Sequence, residues 1–155
     1  MAEIPASIAA FLQEHRFVVA GVSRDPSQPP NAVFRKLKKA GYEVFPVNPN
    51  VSEVEGVRSY DNVRSIPGPV DGVVIVTAPR IAREIVRQCG ECGVKRVWLH
   101  RSFGDGSVAE DAIQTCRTLG IDCIAGGCPL MFCQPIDFGH KCMRWWLQRR
   151  GRIPK

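Results

Sequence analysis

The segment from residue 17 to residue 49 contains the best candidate for an anion-binding site. An apolar run, Phe17 to Val22, ends in Gly21-Val22-Ser23 and a proline-rich loop, and a helical pattern begins at Asn31. A second apolar run, Tyr42 to Val47, ends in Asn48-Pro49. In a strand–loop–helix–strand unit the helix begins at the mouth of the sheet, and its backbone N–H groups attract anions there. The segment therefore predicts a site for a phosphate-bearing ligand.

The seven cysteines suggest thiol redox chemistry as an alternative. An odd number of cysteines argues against a complete set of disulfides. Cys89 and Cys92 have the spacing of a redox pair, but they end a predicted helix, where the helix dipole does not lower a thiol pKa. Together with Ile81 and Ile85 they follow helical spacing, which places both thiols on the apolar face. Buried structural thiols are therefore favoured, and Cys116 is predicted on another apolar face.

A zinc site formed by Cys128, Cys133, His140 and Cys142 is the corresponding metal hypothesis. Structural zinc sites usually pair their ligands at short, regular spacing, and a second pair of that kind is missing from this sequence. We therefore predict no metal site in this chain.

Alternating strand and helix patterns predict an α/β fold. The predicted strands are Phe17–Val22, Tyr42–Val47, a short edge strand at Gly56–Tyr60, Val70–Thr77, Lys95–His100 and Ile121–Ala125. The predicted helices are Pro5–Glu14, Asn31–Ala40, one that begins at Pro79, Ser107–Leu119 and Asp137–Arg149. Right-handed crossovers between these elements give a Rossmann-like, doubly wound, mainly parallel sheet with strand order 3-2-1-4-5-6 and helices on both faces.

Ligands bind such a sheet where the strand order reverses, beside the carboxyl ends of the first and fourth strands. The segments expected at this crevice are Gly21–Asn31, Asn48-Pro49, Thr77–Arg80 and His100–Ser107. A dinucleotide site requires G-x-G-x-x-G after the first strand and an acidic residue at the end of the second. This chain has only Gly21 of the three glycines and ends the second strand in Asn48, and it lacks the P-loop pattern. NAD and P-loop ATP sites are therefore disfavoured.

The net charge of +6 originates in the C-terminal tail. All 15 acidic residues and 15 of the 21 basic residues lie within residues 1–139, which leaves that part neutral. This distribution argues against the large basic face of a dedicated nucleic-acid-binding protein. Tryptophans among arginines in MRWWLQRRGRIPK are able to stack on bases, but tryptophans of a terminal helix more often pack on their own domain or a second subunit. Nucleic acid is thus disfavoured, and a homodimer is expected on general grounds only.

The length of 155 residues fits one domain. We expect a single unit over residues 1–155, with a core at 12–135 and a C-terminal helix and basic tail at 137–155. The N-terminal segment lacks the basic start and long apolar core of a secretory signal, and no segment has the roughly 18 apolar residues of a membrane span. The sequence therefore predicts a cytoplasmic protein without membrane contact.

The sequence resembles the CoA-binding domain family, a Rossmann-like module that also forms the N-terminus of succinyl-CoA synthetase α subunits. The resemblance spans residues 12–135 and is carried by FVVAGVSRDPSQPPNAVFRKLKKAGYEVFPVNPN, Tyr60, VDGVVIVTAPR, VKRVWLH and GIDCIAGGCPLMF. The combination of GVSR with GYEVFPVNP is its most specific part. The resemblance implies coenzyme A bound at the C-terminal edge of the sheet.

The resemblance also implies which residues contact the ligand. Those after the first strand would meet the phosphates through backbone and hydroxyl donors and the charge of Arg24, and those after the second strand would border the adenosine. Residues after the fourth strand would line the opposite wall. With Asn31 included from the crevice segments, the predicted set is Gly21, Val22, Ser23, Arg24, Asn31, Asn48, Pro49, Thr77, Ala78 and Pro79. The lysines at 36, 38 and 39 are either further phosphate contacts or a solvated helix face.

The chain departs from the family after the Lys95–His100 strand, where LHRSFGDGS replaces an expected glutamine and short glycine loop. His100 is then either a general acid/base or ligand contact, or a hydrogen-bonded histidine at a strand end, and the second alternative is favoured. Cys128 follows the last strand near the crevice. It is either a partner for the CoA thiol or, as favoured, a buried neutral cysteine.

Catalysis requires an activated nucleophile or an oriented base, and the sequence shows no complete set of such residues. In succinyl-CoA synthetases the phosphorylated histidine lies in a second domain, which has no counterpart in this sequence. We therefore expect a non-enzymatic regulatory or carrier protein that binds coenzyme A or an acyl-CoA. The alternative is an enzyme or enzyme subunit that acts on an acyl-CoA or an NAD-type nucleotide.

Overall fold

The computed structural model describes residues 3–101 and 106–154. The strands are β1 Arg16–Ala20, β2 Glu43–Val47, β3 Glu53–Val54, β4 Val57–Arg58, β5 Gly72–Ile75, β6 Arg96–Leu99 and β7 Asp122–Ala125. The helices are α1 Ala6–Leu12, α2 Pro29–Lys39, α3 Pro79–Glu91, α4 Glu110–Leu119 and α5 Phe138–Arg149, with short 3₁₀ turns at Val63–Ser65 and Pro129–Met131. With ends shifted by a few residues, these are the predicted elements except at Gly56–Tyr60.

Five strands form a parallel sheet in the order β2-β1-β5-β6-β7. The reversal of strand order lies between β1 and β5, as predicted, and the α/β class with a Rossmann-like sheet is confirmed. In register, Val18 of β1 lies between Phe45 of β2 and Val73 of β5. The carboxyl ends of β1 and β5 therefore meet side by side.

The predicted third strand, Gly56–Tyr60, is wrong, so the order 3-2-1-4-5-6 loses its outermost member. The chain instead folds into the antiparallel hairpin of β3 and β4, whose turn consists of Glu55 and Gly56. Both residues have positive φ, 50° and 73°, and the turn reverses the chain before a strand is able to extend along β2. Only Tyr60 reaches the sheet, through a single parallel bridge to Val47.

Successive side chains of the central strands enter opposite layers, as expected for a sheet covered on both faces. Val18 and Ala20 pack with α3 and α4, whereas Phe17 and Val19 pack with α1, α2 and α5. Gly72 of β5 leaves room in the second layer, because a Cβ there would lie 2.8 Å from the Phe11 ring. That room allows the Phe11 and Phe17 rings to stack with 4.8 Å between their centroids.

The cysteines are mainly core residues, with one exception to the prediction. Cys89 and Cys116 are fully buried, but Cys92 is exposed. Helix α3 ends at Glu91, so Cys92 is its C-cap residue and lies beyond the apolar face that the spacing suggested. Burial raises the pKa of the Cys89 thiol, which keeps it neutral at physiological pH. Within the described ranges, no three His, Cys, Asp or Glu residues gather closely enough to hold a metal ion.

The C-terminal helix α5 is attached to the core through Leu147, which is 2% exposed. Its tryptophans do not pack on the domain: Trp145 is 56% exposed and Trp146 is 36% exposed. The guanidinium groups of Arg149 and Arg150 cover these rings at 4.2 Å from each centroid. No helix in the described part of the chain is long and apolar enough to cross a membrane.

Candidate functional site

Two cavities open at the carboxyl ends of β1 and β5. The first, of about 520 Å³, lies beside the start of α2 and is called the α2 cavity here. The second, of about 410 Å³, lies beside α3 and is called the α3 cavity. Both are lined by one shared wall, which consists of Gly21, Val76, Thr77 and Ala78. The cavities thus meet at the point where the strand order reverses.

Six of the ten predicted contact residues line these cavities. They are Gly21, Ser23, Asn48, Pro49, Thr77 and Ala78. The other four, Val22, Arg24, Asn31 and Pro79, lie next to the lining but outside it. Val22 is fully buried, and Pro79 is the first residue of α3. The roles of Arg24 and Asn31 follow from their hydrogen bonds.

Gly21 lets the loop after β1 lie directly against the end of β5. Its φ is +106°, and a Cβ on this residue would lie only 2.2 Å from the Val76 carbonyl oxygen. Its N–H group donates to the carbonyl of Val47 at 2.9 Å. Gly21 therefore shapes the shared wall by being small, and its N–H group is already used within the sheet.

Ser23 is held in place by the buried side chain of Asn31. The Asn31 Oδ1 accepts a hydrogen bond from the Ser23 N–H at 2.9 Å, and its Nδ2 donates to the Ser23 carbonyl at 2.8 Å. The Ser23 hydroxyl accepts from the N–H of Asp25 at 3.1 Å, and Ser23 is one of the residues that line the α2 cavity. Because that hydroxyl still carries its own proton, Ser23 has an O–H to donate, whereas its backbone N–H is occupied.

The start of α2 offers less to an anion than the sequence suggested. Helix α2 begins with Pro29 and Pro30, which have no N–H groups. The next two N–H groups, of Asn31 and Ala32, both donate to the carbonyl of Gln28, at 3.1 and 3.3 Å. The first turn is therefore self-satisfied, and the predicted binding of an anion by these N–H groups is not supported by the geometry.

Arg24 places a guanidinium group against a residue of the crevice lining. Its Nη2 donates to the carbonyl of Asn50 at 3.1 Å, and Asn50 lines the α3 cavity. The lysines of α2 have other partners: Lys36 donates to the carbonyl of Pro135, and the Lys38 ammonium lies 5.7 Å from the centroid of the Phe34 ring. Arg24 is thus better placed than Lys36 or Lys38 to contact a phosphate.

The loop after β2 is fixed by Asn48. Its Nδ2 donates to the carbonyl of Val22 at 2.8 Å, and its Oδ1 accepts from the N–H of Asn50 at 2.9 Å. An acidic residue in this position would be unable to donate to Val22. Asn48 therefore joins the loops after β1 and β2, and the missing acid of a dinucleotide site is replaced by a structural amide.

The walls of the crevice are held by buried polar residues that the sequence analysis did not identify. Ser107, 1% exposed, accepts from the N–H of Thr77 at 2.8 Å and donates to its carbonyl at 2.7 Å. Ser59, 6% exposed, donates to the carbonyl of Asn48 at 3.3 Å. Asn31 does the same for Ser23. The loops after β1, β2 and β5 are therefore each held by one buried polar side chain. These buried side chains therefore fix the shape of the crevice.

His100 is buried and lies in the lining of the α2 cavity. Burial lowers its pKa to about 4, so the imidazole is neutral at physiological pH. A neutral imidazole does not supply positive charge to a phosphate, but it forms hydrogen bonds through both ring nitrogens. Gly106 and Ser107 of the predicted His100–Ser107 segment also line this cavity, and residues 102–105 lie outside the described ranges.

The α3 cavity is mainly apolar. Ile81 and Ile85 of α3 lie on one side, and Val47 and Pro49 lie on the other. Ile81 is 43% exposed, although a large aliphatic side chain is normally covered. These walls suit a flat, weakly polar ring system such as a nucleotide base.

Cys128 is not available to a ligand in the crevice. It is 2% exposed and belongs to the core layer that contains Trp98 and Phe132. In the described part of the chain it lines neither of the two cavities. The favoured alternative, a buried cysteine, therefore agrees with the structure.

Comparison of this sequence with known proteins identifies the family to which the chain belongs. A model of the CoA binding domain matches residues 15–134. The chain is 40% identical over 88 residues to the ADP-forming acetate–CoA ligase II subunit alpha of Pyrococcus furiosus, covering 56% of this chain but only 19% of that subunit. It is 29% identical over 116 residues to YneT of Bacillus subtilis, covering 74% of this chain and 83% of YneT.

A solved structure shares the fold over most of its length. It is a protein from Pyrococcus horikoshii OT3, with a TM-score of 0.73 and 28% identity, covering 83% of this chain and 93% of that one. The match to the family model spans nearly the same residues as the resemblance found in the sequence. The chain therefore belongs to the CoA binding domain family.

Proposed function

We propose that this protein binds coenzyme A, free or acylated, along the crevice and has a non-enzymatic regulatory or carrier role. The observation that carries this proposal is the pair of cavities joined at the wall of Gly21, Thr77 and Ala78. Coenzyme A has a nucleoside at one end and a pantetheine arm at the other, joined by a diphosphate. A ligand of that shape fills both cavities while its diphosphate crosses the shared wall.

The adenosine end belongs in the α3 cavity. The adenine ring would lie between Ile81 and Pro49 and cover the exposed face of Ile81. Burying an apolar surface of this kind contributes about 25 cal/mol per Å². The Asn48 amide is already bonded to the Val22 carbonyl and to the Asn50 N–H, and the ribose would lie beside it.

The phosphates would be bound by side chains instead of the N–H groups of a helix. The Ser23 O–H faces the α2 cavity next to the shared wall, and Arg24 lies at the rim of the α3 cavity through its bond to Asn50. The 3′-phosphate of coenzyme A is attached to the ribose. With the ribose at the rim of the α3 cavity, this phosphate would lie close to Arg24 and bind to it. A hydrogen bond to a charged group contributes about 1.5–3 kcal/mol, less where solvent reaches it.

The pantetheine arm would then extend into the α2 cavity toward His100. Its amide groups need hydrogen-bond partners, and Ser23 and Gln28 are polar residues of the same lining. The α2 cavity, with a volume of about 520 Å³, has room for the pantetheine arm with either a free thiol or an acyl group on it.

Titration calorimetry with coenzyme A, dephospho-CoA and NADH tests this proposal on the purified protein. We expect saturable binding of coenzyme A, weaker binding of dephospho-CoA and no saturation with NADH. Arg24→Ala should weaken coenzyme A binding, whereas Arg117→Ala, on the exposed last turn of α4, should not. Saturation by NADH without any by coenzyme A would overturn the proposal.

An enzyme or enzyme subunit that acts on an acyl-CoA is the second candidate, because the chain is related to a ligase subunit. The chain spans about a fifth of that subunit, so an activity of the whole ligase would need parts that this sequence does not contain. Incubation of the pure protein with a panel of acyl-CoA thioesters separates the candidates. Turnover faster than the uncatalysed reaction, lost in His100→Gln, would favour the enzyme.

A further inference from the structure

The hairpin of β3 and β4 carries an unusual residue at its tip. Glu55 has a φ of +50°, and within residues 3–101 and 106–154 it is the one non-glycine residue with positive φ. Two-residue hairpin turns of this kind favour Asn, Asp and Gly in that position. A glutamate that keeps such a backbone conformation must be held by its surroundings, and strained positions of this type are frequent at functional sites.

The carboxylate of Glu55 points back toward the loop after β1. Its Oε1 accepts a hydrogen bond from Nδ2 of Asn31 at 2.8 Å and an ion-paired hydrogen bond from Nη1 of Arg35 at 2.6 Å. The Glu55 side chain is 15% exposed and Asn31 is fully buried, so the bond between them is largely protected from solvent, whereas Arg35 is 48% exposed. Arg35 also donates to the carbonyl of Pro26 at 3.0 Å, which ties the same cluster to the proline-rich loop.

The bond to Glu55 and the two bonds to Ser23 favour the same orientation of the Asn31 amide. A carboxylate only accepts hydrogen bonds, so it must meet the NH₂ side of the amide. The Oδ1 of Asn31 is then turned to the N–H of Ser23, and the second Nδ2 hydrogen reaches the Ser23 carbonyl. A flipped amide would set its NH₂ group against the Ser23 N–H. Glu55 thereby holds Ser23 without touching it.

The same segment makes a second contact with the loop. Arg24 donates to the carbonyl of Asn50, three residues before β3 begins. The stretch from Asn50 to Gly56 therefore contacts the segment after Ser23 at two points, at Arg24 through the Asn50 carbonyl and at Asn31 through Glu55.

We propose that Glu55 is a positioning residue for the ligand-binding loop, which it sets through the Asn31 amide so that the Ser23 hydroxyl faces the cavity. The effect on ligand affinity rests on the proposed binding of coenzyme A. The effect on the loop does not, because it is a property of the free protein. Loss of the Glu55 carboxylate leaves the Asn31 amide held by its two bonds to Ser23 alone, which weakens the support of the Ser23 position.

Glu55→Asn separates positioning from stability. Asparagine is favoured in the turn, which offsets part of the stability lost with the bonds to Asn31 and Arg35, so the melting temperature should change by only a few degrees. Its side chain is shorter by one carbon–carbon bond, about 1.5 Å, and no longer reaches Asn31. We expect coenzyme A affinity to fall about tenfold, the loss of one hydrogen bond to a charged group. Glu55→Gln keeps the length and an acceptor oxygen, and should retain most of the affinity. Glu53 is an exposed residue of the same hairpin. Glu53→Asn is therefore the control, and it should change neither the affinity nor the melting temperature.

Amide hydrogen exchange of Ser23 in the free protein gives a second measurement. Its N–H is protected by Asn31, so Glu55→Asn should accelerate its exchange about tenfold while core amides stay unchanged. Unchanged exchange of Ser23 in Glu55→Asn overturns the inference, as does wild-type affinity in a variant that binds coenzyme A. If the wild-type protein fails to bind coenzyme A but Ser23 exchange accelerates, the proposed function fails and the positioning role stands.

Discussion

Replacing Gly21 with alanine tests whether the crevice depends on close contact between the loop after β1 and the end of β5. An added Cβ would lie 2.2 Å from the carbonyl oxygen of Val76 and 3.3 Å from Cγ2 of Thr77. The nearer atom belongs to the backbone, so only a movement of the loop or of the strand end relieves the clash. Because Thr77 lies in the shared wall, that movement changes both cavities.

Gly41 provides a matched control, because its φ of +98° is close to that of Gly21 and its Cβ position has no described atom within 4 Å. Gly41→Ala therefore adds only backbone strain, about 1–2 kcal/mol. Gly21→Ala adds the steric overlap as well, about 1–3 kcal/mol. At about 2–4 °C per kcal/mol for a chain of this size, the melting temperature should fall by about 2–8 °C in Gly41→Ala and about 4–20 °C in Gly21→Ala.

Thermal unfolding followed by circular dichroism and calorimetry with coenzyme A measure the two effects. Gly21→Ala should lose at least about tenfold in affinity, equivalent to about 1.4 kcal/mol, whereas Gly41→Ala should bind as the wild type does. Equal losses of melting temperature in the two variants would show that the overlap with Val76 is absent. Unchanged affinity in Gly21→Ala would show that the shared wall is not part of the site.

Three further predictions concern charge, thiols and pH. Arg24→Ala should weaken coenzyme A binding about tenfold and leave dephospho-CoA nearly unaffected, as measured by calorimetry; equal losses for both ligands would exclude a contact with the 3′-phosphate. Cys142, which is exposed, should react with iodoacetamide well before Cys89, whose pKa is raised by burial; peptide mass spectrometry gives the order, and equal rates would contradict the burial. The pKa of His100 is lowered to about 4 in the folded state, below its value of about 6.5 in the unfolded chain, so the unfolded state binds more protons between these values. Stability should therefore fall by about 2–3 kcal/mol as the pH drops from about 6.5 to 4, and urea titrations should show a smaller fall in His100→Gln.

The sheet and its helices could be predicted because their signals are local. Continuous Val and Ile content marked the buried strands, and Pro79 marked the start of α3. The prediction of a third strand failed for a local reason as well. Glu55 and Gly56 form a tight turn, but glutamate is not a residue that indicates such a turn. The prediction that Cys92 is buried failed because helical spacing gives the face of a residue only within the helix, and Cys92 lies just beyond its end.

The site was less predictable because its architecture depends on contacts between distant residues. The crevice position followed from topology, which the strand order supplies. The hydrogen bonds of Ser107 to Thr77 and of Asn31 to Glu55 join residues 30 and 24 positions apart, and no spacing rule links them. Asn31 and Ser107 follow the loop sequences SQPP and GDG, in which a polar residue gives no sign that its side chain is buried.

The two prolines that open α2 explain why this crevice is built differently from a dinucleotide site. In the glycine-rich loop, free N–H groups of the helix bind the diphosphate. Here Pro29 and Pro30 remove two of those donors, and the carbonyl of Gln28 takes the next two. In the proposed function a phosphate would then be bound by side chains such as Ser23 and Arg24, whose positions depend on how their backbone is held. Side-chain amides and hydroxyls from elsewhere in the fold hold that backbone in place. Bonds between loops thus take over the positioning that the N–H groups of a helix provide in a dinucleotide site.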